Sequence, residues 1–300
     1  MKVCTLLLVS AVSIWADDGA VAEFSGSHKI DIHADFHGDS PEIQVMMAGS
    51  SRPLRFAVDS GSSFTLLDMG VAAKLGLKPS GETSIAGAGS GEIKTGVVKN
   101  ETFQLPGLTL RRFDILLTDL SGLAAQGRPL DGIFGYDFFS KLIVTIDEDN
   151  HRLILTDPAE FEYRGQGEVL PLTFGGGRGK WVYIAGTIKV TGVPEETLQI
   201  FVDTGSSDAV DTELLKKSKA ALQATQTGEG LGKPRSGIAG RVELLRLGKF
   251  ELRDAPSTCC GNPGNENMIG GAVLRHFAVT LDYSGKRMIL EPGKHFADSF

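Results

Sequence analysis

The chain has little cysteine, little tryptophan and no surplus of basic residues, and each shortage closes a route. Three cysteines in 300 residues cannot make the disulfide framework of a small secreted scaffold, so the fold must be held mainly by packing. Thirty lysines and arginines against thirty-seven acids leave a formal charge of −7, which argues against a nucleic-acid binder that works by neutralising phosphates. Beyond residue 16 no stretch is long and apolar enough to span a bilayer. No H-E-x-x-H and no G-x-S-x-G occurs, so zinc-peptidase and serine-hydrolase chemistry lack their usual anchors. Aromatics are few, whereas glycine is abundant at 38; with short apolar runs, this points to a turn-rich β chain rather than a helix bundle. Apolar residues at 41% and charged residues at 22% are globular values, and the length suits two domains.

The first sixteen residues read as an export signal. Lys2 supplies the positive charge, Val3 to Ile14 is apolar or small, and Ala16 closes the segment before Asp17 and Asp18. A periplasmic or secreted protein without a membrane span is therefore expected. Cleavage there removes Cys4 and leaves the neighbours Cys259 and Cys260. Adjacent Cα atoms lie about 3.8 Å apart, too close for an unstrained bridge, so two small semi-buried thiols are expected, with a vicinal or intermolecular disulfide as the alternative.

What the chain does have, it has twice. The run from Arg55 through Asp59-Ser60-Gly61-Ser62-Ser63 is answered by the run from Gln199 through Asp203-Thr204-Gly205-Ser206-Ser207, 144 positions on. Ile133-Phe134-Gly135 is answered by Met268-Ile269-Gly270, Val144-Thr145-Ile146-Asp147 by Val279-Thr280-Leu281-Asp282, and Arg152-Leu153-Ile154-Leu155 by Arg287-Met288-Ile289-Leu290, all at an offset of 135. The run before each aspartate is apolar on both faces, as in a buried strand. After each turn a short helix is expected, capped by Asp68 over Met69 to Leu75 in one copy and by Asp211 toward Lys219 in the other. The implied organisation is a signal at 1–16, an N-terminal segment at 17–40, one lobe at 41–157, a Gly-rich linker at 158–180 and a second lobe at 181–293.

Chemistry follows from the duplication. Two copies related by a pseudo-twofold would bring Asp59 and Asp203 together, and two carboxylates about 3 Å apart hold one proton between them. The ionised member can take a proton from water while the protonated member donates to a peptide carbonyl, with no metal and no cofactor. Gly61 and Gly205 let the backbone approach the carboxylates. The hydroxyls of Ser60 and Thr204 can lock the two turns together. Ser62 and Ser206 can donate to the outer carboxylate oxygens, which would lower the dyad's pKa values and give an acid-shifted activity.

These residues resemble the aspartic peptidases of the pepsin and retropepsin type over about residues 41 to 291. The segment Met268 to Phe277 followed by Thr280-Leu281-Asp282 looks like the closing pattern of a pepsin C-terminal lobe, and Asp131 to Phe139 resembles its counterpart in bacterial retropepsin-like domains. The resemblance implies an all-β, bilobal fold of the pepsin-like or retropepsin-like double-ψ β-barrel kind with a few short helices, and cleavage of an extended peptide or protein. With both lobes in one chain, a monomer is expected. The segment 84–93 has no flap tyrosine and each lobe is of retropepsin size, so two flaps are expected: one around Ile85, Gly87, Gly89 and Gly91, the other around Gly237 and Ile238. The alternative is a catalytically silent module that binds an extended peptide or exported partner.

Three further patterns carry less. His28, His33 and His37 interleave with Asp31, Asp35 and Asp39, which suits a solvated strand better than a metal site. Gly175 to Lys180 has the glycines of a phosphate loop, but Phe174 and Trp181 occupy positions where that loop needs Gly and Ser or Thr. Lys216, Lys217 and Lys219 read as a solvated helix face.

Overall fold

Each aspartate follows a strand whose end is buried on both faces, Leu54–Val58 in one half of the chain and Glu196–Val202 in the other. The computed structural model describes residues 19–87, 91–125, 127–227, 230–233, 235–259 and 267–300. The export signal expected at 1–16, Gly89 and Cys260 lie outside the described residues.

The two halves use one topology. Leu54–Val58 runs parallel to Gly132–Phe134, which pairs antiparallel with Leu66–Asp68, which in turn runs parallel to Leu108–Thr118. In the second half Glu196–Val202 runs parallel to Met268–Ile269, antiparallel to Val210–Asp211, which runs parallel to Phe250–Cys259. These ladders lie in a nine-stranded and an eight-stranded sheet, so the protein is all-β and bilobal with a few short helices. Their cores differ. Phe56, Phe103, Phe113, Phe134 and Phe138 fill the first lobe, with Phe103 edge-on to Phe134 at 5.0 Å, whereas Val182, Ile184, Ile200, Val242 and Leu245 fill the second. Burial of each such side chain contributes about 1.5–3 kcal/mol.

A third, six-stranded sheet joins the lobes. Ile143–Asp147 and Phe277–Asp282, the first strands of the two closing hairpins, pair antiparallel with Thr145 opposite Thr280. Their hydroxyls lie 2.8 Å apart. Since these threonines occupy equivalent positions in the two copies, the pseudo-twofold passes between them. Lys29–His33 and Glu168–Pro171 form the two edges of this sheet, so both the N-terminal segment and the linker are built into the fold. The three histidines fall on this N-terminal segment, His28 bonded to Asp157 at 3.0 Å and His33 to Asp35 at 3.1 Å.

Asp68 caps Met69–Lys74 by accepting from the N–H groups of Gly70 and Val71. In the second lobe the cap differs from the expectation. The turn is a 3₁₀ segment, Glu213–Lys217, and Thr212, not Asp211, accepts from the Leu214 N–H. Asp211 remains in the preceding strand. The expected free thiol is also corrected: Cys259 is fully buried in the second lobe's core and disulfide-bonded.

Candidate active site

The two D-[ST]-G-S-S turns meet at the pseudo-twofold and grip one another. The Thr204 hydroxyl donates to the Val58 carbonyl at 2.8 Å and accepts from the Ser60 N–H at 3.0 Å. The Ser60 hydroxyl does the reverse, donating to Val202 O at 2.7 Å and accepting from the Thr204 N–H at 3.1 Å. Both residues are buried, so four bonds made without competition from water fix each turn to the other lobe.

That grip sets the carboxyl groups face to face. Asp59 Oδ1 accepts from the N–H groups of Gly61 at 2.7 Å and Ser62 at 3.1 Å; Asp203 Oδ1 accepts from those of Gly205 at 2.9 Å and Ser206 at 3.1 Å. The glycines pack crosswise. A Cβ on Gly61 would stand 2.6 Å from Asp203 Cγ, and one on Gly205 2.3 Å from Asp59 Cγ, so no side chain fits at either position. Asp59 and Asp203 are hydrogen-bonded to each other.

Burial pushes both carboxyls above the ordinary value of 3.8. Asp203 goes well above it, because burial is reinforced by the neighbouring Asp59 charge. Asp59 rises less: the cation of Arg128, the two N–H groups and the hydrogen bond from Asp203 all favour its ionised form. The two carboxyls therefore titrate as one pair that holds a shared proton more tightly than an ordinary carboxyl does. Arg128 breaks a symmetry that the two turns alone would keep. It lies in the first lobe, yet its Nη1 donates to the Gly205 carbonyl at 3.0 Å while Nε bonds the buried Glu42 at 3.0 Å.

The expected role of two hydroxyls is corrected. Ser62 Oγ donates to the Phe64 carbonyl at 2.7 Å, and Ser206 Oγ accepts from the Asp208 N–H at 3.2 Å. Each is taken by its own turn, as serine commonly is. The serines meet the aspartates through backbone N–H groups, and burial outweighs those bonds, so the acid shift expected from the sequence is replaced by a rise.

A cleft of about 960 Å³ opens above the pair, walled by both lobes. Two hairpins cover it. Gly81–Ala86 and Glu92–Leu105 form one, Gln223–Thr227 and Arg235–Leu247 the other. They touch: a Cβ on Gly87 would lie 2.1 Å from the Leu231 carbonyl oxygen, which only glycine permits. Ile85 and Gly87 line the cleft, and Gly91 sits at the start of the return strand with φ +104°. In the second hairpin the lining residues are Thr225, Gln226, Thr227, Gly230 and Leu231. Gly237 and Ile238 stand in the returning strand instead, with Ile238 packed on the second lobe's core. The Gly-rich loop of the linker also reaches the site. Ser63 Oγ donates to Gly177 O at 2.9 Å, and the Lys180 ammonium lies 4.7 Å above the Phe64 ring.

Residues 43–138 match a family model described as aspartyl protease, a span that includes the Asp59 turn and ends in the short helix after Gly135. Over that span the first lobe is similar to aspartyl proteases, which supports a peptidase of the retropepsin type. A search of the curated proteins gave no match. The second lobe, outside the matched span, has the same strand order and the same turn as the first.

Sequence reasoning missed Arg128, Arg178, Trp181 and Asp211, all of which line the cleft. Nothing local marks Arg128, since its bonds are to residues 77 and 86 positions away. Trp181 carried a signal, as it begins the strand Trp181–Lys189 immediately after the Gly-rich loop.

Proposed function

We propose that the protein is an exported aspartic endopeptidase that hydrolyses peptide bonds with Asp59 and Asp203. The aspartyl protease match supports a peptidase role in general. The observation that carries the finer reading is the pair of carboxyls, one from each lobe, hydrogen-bonded at the base of the cleft with one held well above its ordinary pKa. In this reading ionised Asp59 takes a proton from a water set between the carboxyls. Asp203 gives its proton to the carbonyl oxygen of the scissile amide, so charge does not accumulate on the tetrahedral centre. The hairpins leave room for an extended peptide between them and the carboxyls. One chain supplies both aspartates, which supports a monomer as the working unit, and the charged, small-residue pattern of residues 1–16 supports export to the periplasm or beyond, with exported proteins as substrates. The test is cleavage of an unfolded protein by the purified chain and by Asp59→Asn and Asp203→Asn. Turnover inhibited by a statine-type peptide and lost in both variants is expected; turnover retained in either would remove the mechanism.

A further inference from the structure

The first lobe carries a second apolar surface on the side of its sheet that faces the cleft. Ala57, Phe64, Leu66, Leu123, Leu130 and Ile133 line the cleft there, all buried in a cluster separate from the main core. Two half-buried side chains pack on this cluster, Ile85 from the lobe's own hairpin and Leu231 from the hairpin of the other lobe. Leu231 therefore reaches across the cleft. The two hairpins touch at the same residue, since its carbonyl oxygen is the atom that a Cβ on Gly87 would meet.

Its sequence setting singles this leucine out. It is the one large apolar residue between Thr227 and Ile238, among glycines and polar residues. Gly230 and Gly232 on either side have φ of +141° and +107°, backbone that carries the intervening side chain down toward the cleft and that other residues rarely adopt. The insertion is not returned. The second-lobe wall has its own cluster of Tyr183, Phe201 and Met268 with Trp181 packed on it, and among the described residues no apolar side chain of the first hairpin joins it. An apolar pocket opening on a cleft is where an apolar side chain of a ligand gains most. Here the pocket already holds one.

We propose that Leu231 is the resident occupant of the first-lobe pocket: it fills the place of a substrate's apolar side chain, and such a side chain enters only by displacing it. This rests on the peptidase reading for the identity of the incoming chain, and it makes Leu231 a specificity-determining residue. Phenylalanine, which buries more apolar area than leucine gives up, displaces it, whereas alanine gains too little to do so. The filled pocket is a competing state, so apparent affinity for the larger side chain is reduced by the fraction of molecules in which the pocket stands empty.

The experiment is titration calorimetry of two short peptides, identical except for phenylalanine or alanine beside the central peptide bond, with the full chain carrying Asp203→Asn to prevent turnover. Adding Leu231→Ala is expected to tighten the phenylalanine peptide about tenfold and to move the alanine peptide by less than about twofold, so the ratio of affinities rises. Leu231→Met keeps an occupant of similar size and should hold the ratio near the parent's. Each ratio is taken on one chain, so any loss of folded fraction cancels. If Leu231 were instead a wall against which the substrate packs, Leu231→Ala would lower the ratio. A lowered or unchanged ratio, or no binding of the phenylalanine peptide by either chain, would overturn this inference. The same peptides offered to the chain with Asp203 restored test the peptidase reading separately: a raised ratio without any cleavage would remove that reading and leave Leu231 as the occupant of a binding cleft.

Discussion

Replacing Arg128 with methionine removes the cation that favours ionised Asp59 while keeping most of the aliphatic stem. The cost can be worked from its surroundings. Arg128 is 17% exposed and its partner Glu42 only 2%, so the change leaves a buried carboxylate with Arg55 Nε as remaining partner at 3.7 Å. Breaking a buried pair by removing one member typically costs about 3–5 kcal/mol, and the residual Arg55 contact puts this case near the lower end, about 3 kcal/mol. Adding Glu42→Gln removes the stranded charge, so the double variant should recover about half of the loss or more. The functional consequence is separate. Without the cation the acidic limb of the pH–rate profile moves to higher pH, because ionising Asp59 loses its principal electrostatic support. Urea denaturation of the four chains of the double-mutant cycle and kcat/KM across pH provide the two readouts. A single variant as stable as the parent, a double variant no better than the single, or an unmoved acidic limb would each refute this account of Arg128.

Thr204→Val should destabilise by about 2–4 kcal/mol in thermal or urea unfolding, since it strands the buried Val58 carbonyl and Ser60 N–H; Thr204→Ser should restore most of it. Gly205→Ala sets a Cβ against Asp59 Cγ and should cut kcat at least about tenfold with KM little changed, read from steady-state kinetics. Asp203→Asn, inactive by the proposed mechanism, should melt higher than the parent at neutral pH. A carboxyl with a raised folded value is stabilising relative to its ionised form only at low pH, and that advantage fades as pH climbs through the raised value. The same sign applies to Glu148, which burial and the neighbouring Asp39 raise to about 7, so Glu148→Gln should flatten the fall in melting temperature between pH 4.5 and 7.

What the sequence disclosed was whatever is decided locally or repeated. The apolar runs before Asp59 and Asp203, the Asp68 cap and the turn glycines each follow from neighbours within a few residues, and duplication turned a common turn motif into a pair. What it hid was decided across space. Asp211 precedes an apolar helical stretch, which is the local mark of a cap, but Thr212 next to it takes that bond and leaves Asp211 on the cleft wall. The Ser62 hydroxyl had two acceptors open to it by type, and it donates to the carbonyl in its own turn. The direction of the dyad's pKa depended on how deeply the turns are enclosed, which two matching pentapeptides do not reveal. Arg128 joins Glu42 and Gly205 from opposite lobes, a contact that exists only once the lobes have closed.

Of all measurements, the pH dependence of kcat/KM for a cleaved peptide bears most directly on the claim that two lobes share one proton between Asp59 and Asp203. The account gives a bell whose two limbs both belong to the coupled pair and both lie above the ordinary carboxyl value of 3.8. A rate still at its plateau below pH 3.8, or one with no alkaline limb, would contradict it.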